Sequence, residues 1–213
     1  MSAAFRSVLV ALDLEMNQPS GAIIQVGLAV GDLQTGACLG MLDVLVRPNE
    51  PLAPYIVELC GITDAMLDAD GVSLAQAHAR MLQFLAPFAA TRQLNPLTWG
   101  GGDSDTLRRQ LGEDGETWTF GRRWIDTKTV YMAWQHAHGR DAKGGLRSSM
   151  KQMGLKFEGR AHTAAADAWN TFRMYRTLTQ RMAGPKHDVQ KPAGDALCAQ
   201  AAASPSPAGV ANG

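Results

Sequence analysis

Apolar positions change their period along this chain, and the change lays out its architecture. Near the N-terminus, Val8-Leu9-Val10-Ala11-Leu12 is an unbroken apolar run that ends in Asp13-Leu14-Glu15. A short run of this kind, rich in β-branched residues, predicts a buried strand. Met16-Asn17-Gln18-Pro19-Ser20-Gly21 is a turn-rich link. Residues 22–30 form a second apolar run, Gly31-Asp32 and Thr35-Gly36 flank a tight reversal, and residues 37–46 form a third, stopped by Arg47-Pro48-Asn49. Strand, short turn, strand, short turn, strand predicts an antiparallel meander.

Beyond residue 50 the period lengthens toward that of a helix. Residues 51–61 predict an irregular stretch with a short helical piece, and Thr63-Asp64 is placed to cap another around residues 65–67. Ser73 stands as N-cap before Leu74, Ala77, Met81, Leu82, Leu85 and Phe88, which recur at helical spacing. Pro96-Leu97-Thr98-Trp99 is a short strand running into three glycines, after which Asp103 opens a helix through Leu107 and Leu111. Arg122-Arg123-Trp124-Ile125-Asp126 is a last short strand. Helices are expected over residues 127–138, with Val130, Met132, Ala133 and Trp134 as apolar surface, over 146–153, and over 163–182. Three consecutive strands followed by strands alternating with helices predict an α/β fold, a mixed sheet with helices on its faces. From residue 184 the composition shifts to Ala, Pro, Ser and Gly. Such a segment cannot bury enough surface to order itself, so the expected organisation is one domain over residues 1–183 and a disordered tail over 184–213.

Composition narrows the function classes. The 213 residues and a hydrophobic share of 46% suffice for one sizeable core. Lys and Arg balance Asp and Glu, for a net charge of zero. No whole-protein field therefore draws in polyanions, and any grip on nucleic acid must be local. Cys38, Cys60 and Cys198 are odd in number and widely spaced, which suggests neither a disulfide framework nor a zinc site. No apolar run approaches membrane-spanning length, and the first apolar run is short and cut by Asp13, unlike a signal peptide. A cytoplasmic location and no membrane partner are the expectations.

Candidate chemistry starts at Asp13 and Glu15. Strand side chains alternate faces, so two residues apart they point the same way. Like charges at the end of a buried strand repel and lose hydration, a cost that a hard divalent cation relieves. Alone, the pair also reads as a cap and a solvated loop residue. Asp103 follows Gly100-Gly101-Gly102 at a strand end, where sites of open α/β sheets lie; Asp105 competes, and Asp103 is preferred as the nearer to the strand. His162 and Asp167 are five apart, which does not suit two ligands on one helix face. A histidine on a loop and an aspartate inside the following helix fits better. Four acids with one imidazole suit phosphoryl chemistry at two divalent ions, with the imidazole as base.

In this order and spacing the motifs resemble those of the DEDDh 3′–5′ exonucleases, an RNase H-like family. The D-x-E element stands as Asp13-Leu14-Glu15, the second as Trp99-Gly100-Gly101-Gly102-Asp103 with Leu107, and H-x4-D as His162 to Asp167, followed by Asn170 and Thr171. Pro54-Tyr55-Ile56-Val57-Glu58-Leu59-Cys60-Gly61-Ile62-Thr63, Gly144-Gly145-Leu146 and Phe157-Glu158-Gly159-Arg160-Ala161-His162 are similar to the Eri-1/KapD-like exoribonuclease branch. The resemblance implies an RNase H-like mixed five-stranded sheet, a three-strand meander plus parallel strands, flanked by helices. It implies two Mg²⁺ or Mn²⁺ ions. Asp13 would bridge both, Glu15 and Asp167 would complete the shell on the water-activating side, Asp103 would serve the other ion, and His162 would be the general base. Its substrate would be single-stranded RNA, or DNA. Met16 and Asn17 replace the small residues usual after D-x-E, and Met16 stands where a wedge on the terminal base would be.

Substrate contacts are expected at Met16, Asn17, Trp99 and Arg160. The run Lys143, Arg147, Lys151, Lys156 and Arg160, with Glu158 as its only acid, is suited to the phosphates of a single strand and equally to a solvated face. Trp99 and Trp124 also read as core. Two further readings stand beside exonuclease action: a proofreading-type DNA exonuclease subunit, tethered to a protein partner through the tail, and a non-catalytic nucleic-acid-binding adaptor of the same fold. RNA against DNA and oligomeric state are open.

Overall fold

The computed structural model describes residues 8–89, 95–115 and 120–184. Its compact unit runs to Met182, and the tail from 185 lies outside the described residues. The strands are β1 (Val8–Met16), β2 (Ile23–Asp32), β3 (Cys38–Leu45), β4 (Leu97–Thr98) and β5 (Ile125–Asp126). They form one mixed sheet of order β3-β2-β1-β4-β5. β1, β2 and β3 pair antiparallel, whereas β4 runs parallel to β1 and β5 parallel to β4. The helices are α1 (Pro54–Cys60), α2 (Asp64–Asp70), α3 (Leu74–Ala89), α4 (Gly102–Glu113), α5 (Thr127–Ala137), α6 (Leu146–Gln152) and α7 (Ala164–Met182). This is the RNase H-like arrangement. None of the described helices is long and apolar enough to cross a membrane.

The two faces of the sheet differ in the size of their side chains. Val10, Leu12 and Leu14 of β1 join Val26, Leu28, Val30 and Val44 against Leu74, Ala77, Met81 and Leu85 of α3 and Leu107 and Leu111 of α4. Each large side chain fully buried here is worth roughly 1.5–3 kcal/mol. The opposite face carries Ala11, Ala29 and Leu97 under Ala168 and Phe172 of α7. Small residues there bring α7 close to the strands. The closest approach is at Gly27 of β2, where an added Cβ would lie 2.0 Å from the carbonyl carbon of Ala164. Gly27 is also the register partner of Asp13. The first turn of α7 is thus seated beside the acidic end of β1.

Helix starts follow the expected capping chemistry. The Thr63 hydroxyl accepts from Met66 N–H. Ser73 Oγ accepts from Gln76 N–H, while Gln76 Oε1 accepts from Ser73 N–H, which forms a reciprocal capping box. Several expected apolar faces are misplaced. Leu82 of α3 and Met132 of α5 are exposed, as is Ala133. α5 turns Tyr131, Trp134 and Gln135 inward instead. Tyr131 O–H donates to Gln152 Oε1 at 2.7 Å and accepts from Gln135 Nε2 at 2.8 Å. That polar pairing between α5 and α6 decides the helix's rotation, and a hydrophobic period alone does not report it.

Candidate active site

β1, β4 and β5 run parallel and end on one edge of the sheet, so residues at their C-terminal ends meet. β1 brings Asp13 and Glu15 on its α7 face. β4 leads into Gly100-Gly101-Gly102 and α4, whose second residue is Asp103. Gly100 has φ +110°, a conformation open to glycine, and its N–H donates to Asp126 Oδ1 at 3.0 Å. Asp126 ends β5 and caps α5, accepting from Lys128 N–H at 2.9 Å and Thr129 N–H at 3.2 Å. Asp105 is exposed and Asp103 is not.

Asp167 lies in the first turn of α7. His162 lies in the loop before it, exposed and in a left-handed conformation with φ +60°. His162 N–H donates to Asp167 Oδ2 at 3.0 Å. The five-residue spacing is that loop plus part of one turn. Asn170 is buried and fixes the same loop. Its Nδ2 donates to the carbonyls of Glu158 at 2.7 Å and Ala166 at 2.8 Å, and its Oδ1 accepts from Glu158 N–H at 3.1 Å. Gln25 of β2 supports α7 from below, its Oε1 accepting from Ala164 N–H at 3.1 Å.

The acids gathered here are partly or fully buried, and several of them act on one another's charge. Burial raises the Asp13 carboxyl well above the usual carboxylate range, and the charges of Asp103, Asp167 and Glu15 raise it further. Burial, then Asp167, Asp103 and Asp43, push Glu15 up to about 7. Burial, then Asp126, push Asp103 up to about 7. Burial raises Asp167 too, opposed by the His162 N–H bond and the His162 charge. Donor atoms of Glu15, His162 and Asp167 lie within 4.8 Å of one another. One side of the site is therefore Glu15, Asp167 and His162, the other is Asp103 with Asp126 behind it, and Asp13 feels the acids of both. Hard oxygen donors crowded at mutual cost are the donor set that suits Mg²⁺ or Mn²⁺.

The expected substrate contacts fare differently. Asn17 is buried at 2% exposure. Its Nδ2 donates to Glu50 Oε1 at 2.6 Å and the Pro51 carbonyl at 3.1 Å, and its Oδ1 accepts from Ala53 N–H at 2.9 Å. With these bonds made, Asn17 ties the loop before α1 to the end of β1 and has no free group for a substrate. Met16 alternates away from Glu15 and packs on the α3/α4 core, so it is not a wedge over the acids. Trp99 packs on Tyr131, ring centroids 5.8 Å apart, in the cluster of α5, α6 and α7. Arg160 is exposed and its guanidinium lies against Gly61, the C-cap of α1. Lys143 pairs with Asp141 at 2.8 Å.

Two acids near the site escaped the sequence reading. Asp43 of β3 is the register partner of Gly27, itself the partner of Asp13, so the three stand in one row across the sheet. The signal was the alternation along β3 once its register was fixed. Asp126 carried a plainer one, an acid at the end of a short parallel strand.

Protons and a cation compete for this cluster. Glu15 and Asp103 sit near 7 in the folded chain against ordinary values of 4.5 and 3.8. A raised folded pKa contributes stability at low pH, lost as pH rises through the folded value. The melting temperature in chelator is therefore expected to fall between pH 5.5 and 8. Saturating Mg²⁺ or Mn²⁺ removes most of that fall. Thermal melts across this range, with and without chelator, check it; a flat profile in chelator would mean the acids do not repel.

No family model matches the chain, and no curated protein sequence does. Solved structures match its fold. The nuclease domain of 3′hExo, a DEDDh family member, bound to rAMP, superposes with a TM-score of 0.71 at 19% identity, covering 82% of this chain and 92% of that one. A 3′-exonuclease that recognises the 3′ end of the histone mRNA stem-loop gives 0.70 at 17% identity, covering 82% of each chain. E. coli Exonuclease I in complex with a dA16 oligonucleotide gives 0.64 at 17% identity, covering 82% of this chain and 41% of that one. The chain thus spans less than half of Exonuclease I, and what it shares with all three is the fold.

Proposed function

We propose that this chain is a metal-dependent 3′–5′ exonuclease that releases nucleoside monophosphates from single-stranded nucleic acid, RNA in preference to DNA. The observation that carries the reading is the meeting of Asp13, Glu15, Asp103 and Asp167 from distant segments at one sheet edge, with His162 beside two of them. Asp13, Glu15, Asp103 and Asp167 would hold the two ions, which when bound stabilise the attacking and leaving oxygens of an in-line displacement. His162, exposed at the mouth, takes a proton from the attacking water through its imidazole. Polarity and substrate class draw on the fold shared with 3′-exonucleases, and the RNA preference on the motif resemblance.

The test is incubation with 3′- and 5′-labelled single-stranded RNA and DNA in Mg²⁺, Mn²⁺ or chelator. The expected result is a ladder shortening from the 3′ end, mononucleotide release from the 3′ label, and no reaction in chelator. Binding without cleavage in either metal would turn the reading to an adaptor. Equal rates on RNA and DNA would remove the sugar preference.

A further inference from the structure

Charge in this chain is balanced overall, with 20 basic and 20 acidic residues, and several of its cations are individually matched. Arg47 pairs with Asp68, Arg109 with Glu113, Lys143 with Asp141 and Arg173 with Glu158. Other cations among the described residues have no such pair, and three of them gather in one cleft. A cleft of about 760 Å³ runs from His162 and Asp167 along α6 and is lined by Arg147, Lys151 and Lys156, with Leu155 and Phe157 as apolar wall. None of those three cations forms an ion pair with a described residue. Arg147 and Lys151 stand four apart on α6 and so share one face of it. Unneutralised cations in a row beside an apolar wall match a chain that is itself phosphate on one side and base on the other. At this volume the cleft holds a segment rather than a single anion. A paired duplex would hide its bases from Leu155 and Phe157, so the partner is unpaired.

Building on the exonuclease reading, we propose that this cleft is the binding track for the single strand next to the bond being cut. Arg147, Lys151 and Lys156 meet successive phosphates, and Leu155 and Phe157 meet bases. The track sets affinity and length preference, and the acids and His162 set chemistry.

The experiment uses the full chain and a labelled ten-nucleotide single strand, as RNA and as DNA. Binding is read in a His162→Gln background, which preserves the strand, with and without Arg147→Ala, Lys151→Ala and Lys156→Ala together. For single strands the slope of log affinity against log salt is about 0.7 per neutralised phosphate. The triple substitution is therefore expected to make that slope shallower by roughly 2. In the active protein, KM for the ten-mer should rise at least ~10-fold with kcat changed less than ~3-fold, the pattern of lost uniform binding. Arg147→Lys should keep the wild-type salt slope. An unchanged slope, or a fall in kcat with KM unmoved, overturns the track. The wild-type protein is also tested on the p-nitrophenyl ester of a nucleoside 5′-monophosphate in Mn²⁺. If neither ester nor strand is hydrolysed, the exonuclease reading fails, while the salt slope still decides the track.

Discussion

Asp13→Asn is expected to abolish metal-dependent hydrolysis, by ~10⁴-fold or more, and to raise the melting temperature of the metal-free protein. The two effects share one cause. Asp13 is the acid that feels all the others, Asp103, Asp167 and Glu15. In its ionised form its carboxylate adds to the charge of these three acids inside a buried site. Asparagine has the same shape, and the pairing of β1 with β2 at Gly27 is made by main chain, so the fold survives. Without the charge the strand end relaxes, and each kcal/mol regained should appear as about 2–4 °C in a chain of this size. The same loss leaves ions poorly held and the in-line displacement uncompensated. Melts in chelator and in Mn²⁺, together with product release from labelled RNA, check both halves. A variant that still degrades RNA in Mg²⁺ contradicts the placement of Asp13 between the ions. One that melts lower in chelator at pH 8 contradicts the repulsion.

How much of this was legible beforehand depends on which interaction fixes a residue. The three-strand meander followed from the change of period and from the rule that short connections join antiparallel strands, the parallel strands followed from the motif resemblance, and the order of the strands came only with the structure. Singly, Asp13, Glu15 and Asp103 read as well as caps or solvated residues, and it was the three spaced motifs taken together that singled out these acids with Asp167. His162 was legible as a loop residue because five does not divide into helical turns. Asn17 was misread, since a polar residue after a strand looks solvent-facing until its three partners in the segment 50–53 are seen. Met16 was misread because it follows Glu15 in sequence but alternates to the other face. Asp43 enters only through the register of β2 and β3, which local sequence does not fix. Leu82 and Met132 satisfy a helical period yet face out. The rotation of a helix is set by what it packs on, and for α5 that is the polar pairing of Tyr131 and Gln135 with Gln152.

The role given to His162 separates from its structural role by comparing two substitutions. The residue does two things. Its N–H holds Asp167 Oδ2 at 3.0 Å, which any non-proline residue there would keep. Its imidazole stands within 4.8 Å of the Glu15 and Asp167 donor atoms. Its φ of +60° costs any side chain with a Cβ, but histidine and asparagine are several-fold better tolerated there than alanine, a difference of roughly 0.5–1 kcal/mol. His162→Ala should therefore melt ~1–4 °C lower than wild type and His162→Asn close to it. Both should lose two to four orders of magnitude in kcat, the range for a missing general base. Stability and turnover then part company between the variants, which a strained loop alone would not produce. The metal-induced rise in melting temperature should persist in both. If it vanishes with the imidazole, His162 is a ligand beside Glu15 and Asp167 rather than the base. A His162→Asn protein that degrades RNA at the wild-type rate leaves proton transfer to some other group.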